Sequence, residues 1–275
     1  MLYSKQPQIN VFLIWIATVL LIVSCDSFTG TGDQQPPIDW EDGPGIVDAD
    51  DSHLPDSTKE EWRKSARELA LRFTIEADST EPDVSGDLIE TYYNGLVHIV
   101  NSGLAPAEQA VEEYGVRARP AFVHNQVLVF PDKSESSEWL DSWRNGTTET
   151  GISEIDERTE AYQLTVKEFN ERESQPYAMV VLEAGEFINP KPVASAFREL
   201  ESYFSGRASV NSIVGDGSDI VTNLNSGYVL YRFEYSWGDC PAGCINSYYW
   251  DFLVNAEGEV EFLGEEGEDL PELNE

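Results

Sequence analysis

Basic residues are scarce in this chain. It has 17 Lys and Arg against 51 Asp and Glu in 275 residues, which gives a formal net charge of −34 at pH 7. Nucleic-acid binding depends on Lys and Arg that neutralise phosphates, and anionic lipid surfaces attract polybasic segments. The charge therefore argues against nucleic acid as a partner and favours a surface adapted to solubility or to a saline environment.

The sequence also lacks the common catalytic and cofactor-binding motifs. It has three histidines, and it contains no G-x-S-x-G elbow, no H-E-x-x-H pair, no phosphate-binding glycine loop and no G-x-G-x-x-G segment. General base catalysis would fall to a pair of carboxylates, and 51 acidic residues leave no pair that stands out. We therefore identify no catalytic residue and no cofactor, although the lack of a motif does not exclude catalysis.

The first of only three cysteines follows an uncharged apolar run. Lys5 precedes this run, which extends from Val11 to Val23 and leads into Ser24 and Cys25. A run of this length is short for a transmembrane helix, which needs about 20 residues. A basic residue, an apolar stretch and a small residue before the cleavage point follow in the order of a signal peptide.

The segment resembles a bacterial lipobox. The resemblance implies that residues 1–24 are a signal peptide and that Cys25 becomes the lipid-modified N-terminus. Several acyl chains, such as palmitate, give a stable anchor at about 0.8 kcal/mol per buried CH₂. We therefore expect the protein in the bacterial cell envelope, anchored to a membrane and facing the periplasm or the exterior. A plain signal peptide and a signal anchor are the alternatives.

The other two cysteines, Cys240 and Cys244, lie in a Pro/Gly-rich turn between two strand-like segments, residues 228–235 and 245–254. Three intervening residues that include Pro241 allow a sharp turn, which brings two Cα atoms within disulfide range. The spacing predicts a β-hairpin with a structural disulfide. A thioredoxin-like enzyme would have two residues between its cysteines, and zinc would need further ligands. An exchangeable redox pair and a metal site remain the alternatives.

Aromatic residues flank this turn. Trp237 precedes it, and Tyr248, Tyr249 and Trp250 follow it. Exposed together, these rings would form a ligand-binding face. Side chains of a strand alternate between its two faces, so the other interpretation is that every second ring faces the core.

The segment from residue 25 to residue 57 is acidic and rich in Pro and Gly, and it predicts a tether. Trp40 and Ile46 are isolated apolar residues in it, and we expect them not to dock on the domain. The acidic residues 266–275 predict a tail. The loop Gly215 to Asp219 has carboxylates suited to calcium but lacks the spacing of an EF-hand, so a turn between strands explains it as well.

Residue periodicity predicts a single α+β domain over residues 58–265, beginning with two amphipathic helices. Thr58 and Glu61 form a capping-box pattern. The core-facing positions of the two helices are Trp62, Ala66, Leu69, Ala70 and Phe73, then Leu88, Ile89, Tyr92, Tyr93, Leu96, Val97 and Val100. An alternative division has a helical subdomain over residues 58–160 and a sheet-rich one over residues 161–265.

The second half of the chain predicts a mainly antiparallel sheet. Residues 162–214 combine two strands, a helix from Pro192 and a returning strand, which is the pattern of a split β-α-β unit. The hairpin with the disulfide and a strand over residues 260–263 follow it.

Several segments resemble an uncharacterised group of predicted secreted or lipid-anchored proteins of Bacteroidota-like bacteria. The likeness covers most of the chain from about residue 60 and is most specific in Gly238-Asp239-Cys240-Pro241-Ala242-Gly243-Cys244-Ile245, before an aromatic strand. The group has no assigned activity, so the resemblance implies no site residues. We expect a lipid-anchored binding or envelope-structural protein with a protein or small-molecule ligand. The alternatives are a peptidase-inhibitor or chaperone-like module using the β-α-β unit, and thiol-disulfide exchange at the cysteine turn.

Overall fold

Helices and antiparallel strands alternate along the chain in an α+β fold, as the sequence predicted. The computed structural model describes residues 45–133, 138–240 and 242–272. The helices are α1 (Asp56–Glu76), α2 (Gly86–Asn101), α3 (Ala105–Glu108), a π-helical turn (Gln109–Glu113), α4 (Leu140–Arg144), α5 (Ser153–Ala161), α6 (Pro190–Arg198) and α7 (Glu201–Phe204). The strands are β1 (Phe122–Val129), β2 (Leu164–Glu171), β3 (Ala178–Ala184), β4 (Ala208–Ser212), β5 (Asp219–Leu224), β6 (Tyr228–Trp237), β7 (Asn246–Asn255) and β8 (Val260–Gly267).

The strands form two four-stranded sheets, ordered β2-β3-β1-β4 and β5-β6-β7-β8. In the first sheet, β1 pairs antiparallel with both β3 and β4, so β3 and β4 run in the same direction on either side of it. Helix α6 lies between β3 and β4 along the chain. This is the predicted split β-α-β unit, and the strand inserted into it is β1, from earlier in the chain.

Each sheet packs against its own helices, which gives two hydrophobic cores. We call residues 46–118 together with residues 219–270 the terminal lobe, because α1, α2 and strands β5 to β8 share one core. We call residues 122–212 the inserted lobe, because its four strands and α4 to α7 surround the other. The alternative division at residue 160 is therefore not found, since the N-terminal helices pack against the last sheet of the chain.

Helix α1 buries the face that its periodicity predicted. Trp62, Ala66, Leu69 and Ala70 are each at most 1% exposed. The helix begins at Asp56, before Thr58, and no side chain caps its N-terminus. The predicted capping box is therefore wrong, because Thr58 already lies inside the first turn.

Helix α2 lies close to the sheet of the terminal lobe at a glycine. Gly95 faces the hydroxyl of Tyr231, a residue of β6 that is 1% exposed. The Tyr231 hydroxyl donates to the Tyr92 carbonyl over 3.4 Å, and the two rings meet edge to face. A side chain at position 95 would occupy the space that this hydroxyl needs.

The end of the predicted tether packs on the domain, which corrects the expectation for Ile46. Ile46 is 5% exposed and belongs to the core of the terminal lobe. The Val47 N–H donates to the Ala256 carbonyl at 2.9 Å, and the Tyr93 hydroxyl donates to Asp51 at 2.6 Å. Acidic side chains in this segment therefore satisfy hydrogen-bond donors of the domain, and this stabilises a segment that composition alone assigned to a linker.

Two further boundaries differ from the prediction. Strand β5 was not expected, because residues 219–224 contain only a short apolar pattern next to a glycine-rich loop. Strand β8 extends to Gly267, and Leu270 packs against the core of the terminal lobe. The predicted tail therefore begins inside a strand.

Within the described residues, no helix is both long enough and apolar enough to cross a membrane. The predicted signal peptide, Cys25 and Trp40 lie outside the part of the chain that the structure describes.

Replacement of Gly95 by Ala should destabilise the protein, although Ala is normally the better helix former. The new Cβ would overlap the fully buried Tyr231 ring, and such overpacking costs about 1–3 kcal/mol. Gly86→Ala is the matched control in the same helix, because open space surrounds a Cβ at that position. Urea denaturation of both variants measures the effect, and equal stabilities would contradict this packing.

Candidate functional site

The cysteine turn joins β6 and β7 as a disulfide-bridged hairpin, as predicted. Cys240 and Cys244 are bonded with a Cα–Cα distance of 4.5 Å. Trp237 and Asn246 are the last paired residues before the turn. The Cys244 N–H donates to the Asp216 carboxylate at 3.0 Å, which attaches the turn to the loop between β4 and β5.

The charges around this disulfide do not favour thiol chemistry. Hydrogen bonds from the N–H groups of Cys244 and Gly217 lower the pKa of the Asp216 carboxyl, so a carboxylate lies beside the turn at neutral pH. Asp239 adds a second acidic residue next to Cys240. Reactive thiolates are stabilised by nearby cations or helix N-termini, so this environment fits a structural bond.

A cluster of rings lies on the helix-facing side of the same hairpin. We call Tyr114, Tyr235, Trp237, Tyr248 and Trp250 the aromatic cluster. Tyr114 contacts Tyr235 with 4.7 Å between ring centroids, and Trp237 stacks on Tyr235 at 5.5 Å. Tyr248 contacts Trp250 at 4.8 Å. Every ring except that of Trp250 is partly exposed, so the cluster extends from the core to the surface.

The structure does not bring the four predicted ligand residues onto one face. Trp237, Tyr248 and Trp250 lie on the helix-facing side, and Trp250 is fully buried, with its indole N–H donating to Gln109 at 3.1 Å. Tyr249 lies on the opposite face, where the Arg232 guanidinium is 5.0 Å from its ring centroid. The alternation of a strand explains this division.

An acidic groove of about 620 Å³ borders the aromatic cluster. It is lined by Ala105, Pro106, Glu108, Gln109, Glu112, Glu113 and Glu265. Gln109, which binds the Trp250 indole, and two of the glutamates belong to the π-helical turn. Such turns are rare in proteins as a whole, but those that occur often lie at functional sites.

Glu265 connects the groove to the cluster. It pairs with Trp250 across β7 and β8. Partial burial together with the nearby Glu265 carboxylate raises the pKa of the Tyr248 hydroxyl. That hydroxyl therefore remains protonated at neutral pH and is a hydrogen-bond donor beside the groove.

A partly buried ionic network, which sequence analysis missed, holds the two lobes together. Arg72 of α1 contacts Asp219 at 2.9 Å and Glu68 at 3.2 Å. Its guanidinium also donates to the carbonyls of Ile220, at 3.0 Å, and of Arg119. It therefore binds both segments through which the chain passes between the lobes.

Glu68 carries the same network into the inserted lobe. It is 2% exposed and accepts from the Ala121 N–H at 2.8 Å, while its other oxygen lies 3.4 Å from His124 Nδ1. Burial alone would raise the pKa of this carboxyl, but His124, the Ala121 N–H and Arg72 together lower it. Glu68 is therefore an anion at neutral pH. No sequence motif marks it, because its partners are distant in the chain.

The loop Gly215 to Asp219, whose carboxylates suit calcium but which a turn between strands explains as well, has these carboxylates occupied by protein donors. Asp216 accepts from Cys244 and Gly217, and Asp219 accepts from Arg72 and from the Arg119 N–H at 2.7 Å. Across the described ranges, no group of three or more His, Cys, Asp or Glu side chains is placed to hold a metal ion.

No family model, curated protein or solved structure matches the chain.

Replacement of Arg72 by Ala should lower the free energy of unfolding by about 3–5 kcal/mol, because it leaves the buried Glu68 carboxylate and the partly buried Asp219 carboxylate without their cation. Arg67→Ala on the exposed side of the same helix should change it by less than about 0.5 kcal/mol. Urea denaturation measures both variants. A loss as small as that of Arg67→Ala would show that the network does not stabilise the fold.

Proposed function

We propose that this protein is a lipid-anchored binding protein of the bacterial envelope, with a ligand that contacts the aromatic cluster and the acidic groove. The N-terminal resemblance to a lipobox supports the anchor. The disulfide supports an oxidising compartment outside the cytoplasm, because such bonds are rare in reducing cytosol.

The observation that carries the binding proposal is the partial exposure of rings beside a groove. Tyr and Trp cover a ligand with a large, rigid surface at low cost in conformational entropy. Trp250 is buried and anchors Gln109, so the groove wall is held in place before a ligand arrives. Trp237 precedes the cysteine turn and Tyr248 follows it, and both rings are partly exposed.

The chemistry of the groove favours a cationic ligand. Four glutamates line it, and none of the ion pairs among the described residues involves them. An ammonium or guanidinium group would meet carboxylates in the groove and ring faces in the cluster, and both attract cations. The net charge of the chain would increase the association rate of such a ligand.

A tetralysine peptide is a suitable probe of this site. Trp237→Ala should weaken its binding by about three- to tenfold, because the variant removes a ring face that contacts the cation. Glu112→Gln should weaken it as well, because it removes a groove carboxylate. Isothermal titration calorimetry at constant ionic strength measures the affinities.

Tyr249→Ala and Glu261→Gln are the matched controls. Tyr249 lies on the opposite face of the sheet, and Glu261 lies on β8 away from the groove lining. If all four variants bind tetralysine equally, the peptide responds only to the overall charge and the proposed site is wrong. A tetraglutamate peptide should not bind.

Cys25→Ser should abolish labelling of the protein by radioactive palmitate, because the thioether anchor cannot form. Ser24→Ala retains a small residue before the cleavage point and should label normally. Labelling of the Cys25→Ser variant would contradict the assignment of the anchor to this residue.

A further inference from the structure

Strand β4 is an edge of the inserted-lobe sheet, and its outer side is open. In its antiparallel pairing with β1, the Phe130 N–H donates to the Arg207 carbonyl and the Ile213 N–H donates to the Ala121 carbonyl. Alternate residues of a strand direct their backbone groups to opposite sides. The N–H and C=O groups of Ala208, Val210 and Ser212 therefore point away from β1.

These six backbone groups have no hydrogen-bond partner among residues 45–133, 138–240 and 242–272. The open edge is also apolar at its end, where Ile213 is 41% exposed and Val214 is 95% exposed. An uncharged edge with free N–H and C=O groups is a template for another strand.

The edge strands β2 and β8 are protected, and the edge strand β5 is occupied at one residue. Strand β2 has a bulge at Lys167 with Glu168 next to it, and β8 carries Glu261, Glu265 and Glu266. The backbone of Ile220 in β5 is occupied, because its carbonyl accepts from Arg72 and its N–H donates to Asp219. Residues 208–214 contain no charged side chain. In a chain with a net charge of −34, an edge formed by seven uncharged residues requires an explanation.

We infer that two copies of this chain pair through β4, antiparallel and about a two-fold axis at Val210. In this register Val210 faces Val210 of the second copy, and Ala208 faces Ser212 in both directions. All six outward backbone groups then find a partner, and the two four-stranded sheets become one sheet of eight strands.

The charge distribution favours a second copy over a basic partner. A basic strand would be attracted to the acidic edge β8, whereas residues 208–214 offer it no carboxylate. The same uncharged stretch is where two highly acidic copies can approach with the least repulsion. Interfaces of this kind are isologous, with the same segment contributed by each copy.

Cysteine cross-linking tests the register in the full chain carrying Cys25→Ser, in neutral detergent. Ser209 and Asn211 become a directly opposed, non-hydrogen-bonded pair, with Cα atoms about 4.5 Å apart, which is within disulfide range. A mixture of Ser209→Cys and Asn211→Cys proteins should form a disulfide-linked dimer under mild oxidation. Neither variant should do so alone, and each is the control for the other.

Absence of the mixed dimer, with near-ultraviolet circular dichroism showing both variants folded, would overturn the proposal. Cross-linking of Asn211→Cys alone would overturn the Val210 register. Hydrogen exchange in the unsubstituted chain gives a second readout, because the amides of Ala208, Val210 and Ser212 should gain protection as protein concentration rises. Protection that is independent of concentration would mean that another part of the chain covers the edge.

The salt dependence of the association distinguishes a second copy of this chain from a basic partner. Dimerisation of an acidic chain is opposed by repulsion, so its dissociation constant should fall by about tenfold between about 0.05 M and about 0.5 M NaCl. Sedimentation equilibrium measures this change. A molar mass that stays monomeric at every concentration and salt level would overturn self-pairing.

Discussion

The structure depends on one partly buried cation, the guanidinium of Arg72. The chain leaves the terminal lobe near Arg119 and returns to it near Asp219, and Arg72 binds both points. Its other partner, Glu68, accepts from the first residues that enter the inserted lobe. A single helix of the terminal lobe thus fixes where the inserted lobe is attached. Removal of one partner from such a network destabilises the fold more than loss of an ion pair at the surface. The reason is that the remaining charge is held away from water without a counter-ion.

Four of the scarce basic residues have their guanidinium groups partly buried in contacts within the fold. Arg72, Arg117 and Arg119 bind backbone carbonyls near the junction, and Arg232 pairs with Asp251 on the open face of the last sheet. The chain as a whole has a formal net charge of −34. Against this background, the uncharged edge β4 and the partly exposed rings of the aromatic cluster are the places where contact with another molecule meets the least electrostatic resistance.

Patterns within short stretches of sequence predicted much of the fold, but they did not predict the contacts between segments far apart in the chain. The periodicity of α1 and α2, the split β-α-β unit and the Cys240–Cys244 bond were all read correctly, because each depends on residues close in sequence. The packing of the N-terminal helices on the last sheet was missed, because the contacts involved join residues far apart in the sequence. Glu68 and Asp219, for example, are joined only through Arg72, and no sequence motif marks either residue as part of this network. Tyr249 was grouped with Trp250, although neighbouring side chains of a strand lie on opposite faces. The docking of Ile46 was also missed, because its neighbours in the sequence are polar and gave no sign that this segment packs on the domain.

The insertion also has a consequence for the order of synthesis on the ribosome. The inserted lobe is built from residues 122–212, and its two ends meet where the Ile213 N–H donates to the Ala121 carbonyl. Everything its core needs has therefore emerged from the ribosome before the sheet that covers α1 and α2. Those two helices must wait with apolar faces uncovered until residues 219–254 arrive. The nascent chain can thus complete its middle before its beginning, and the apolar faces of its first helices are the last to be covered.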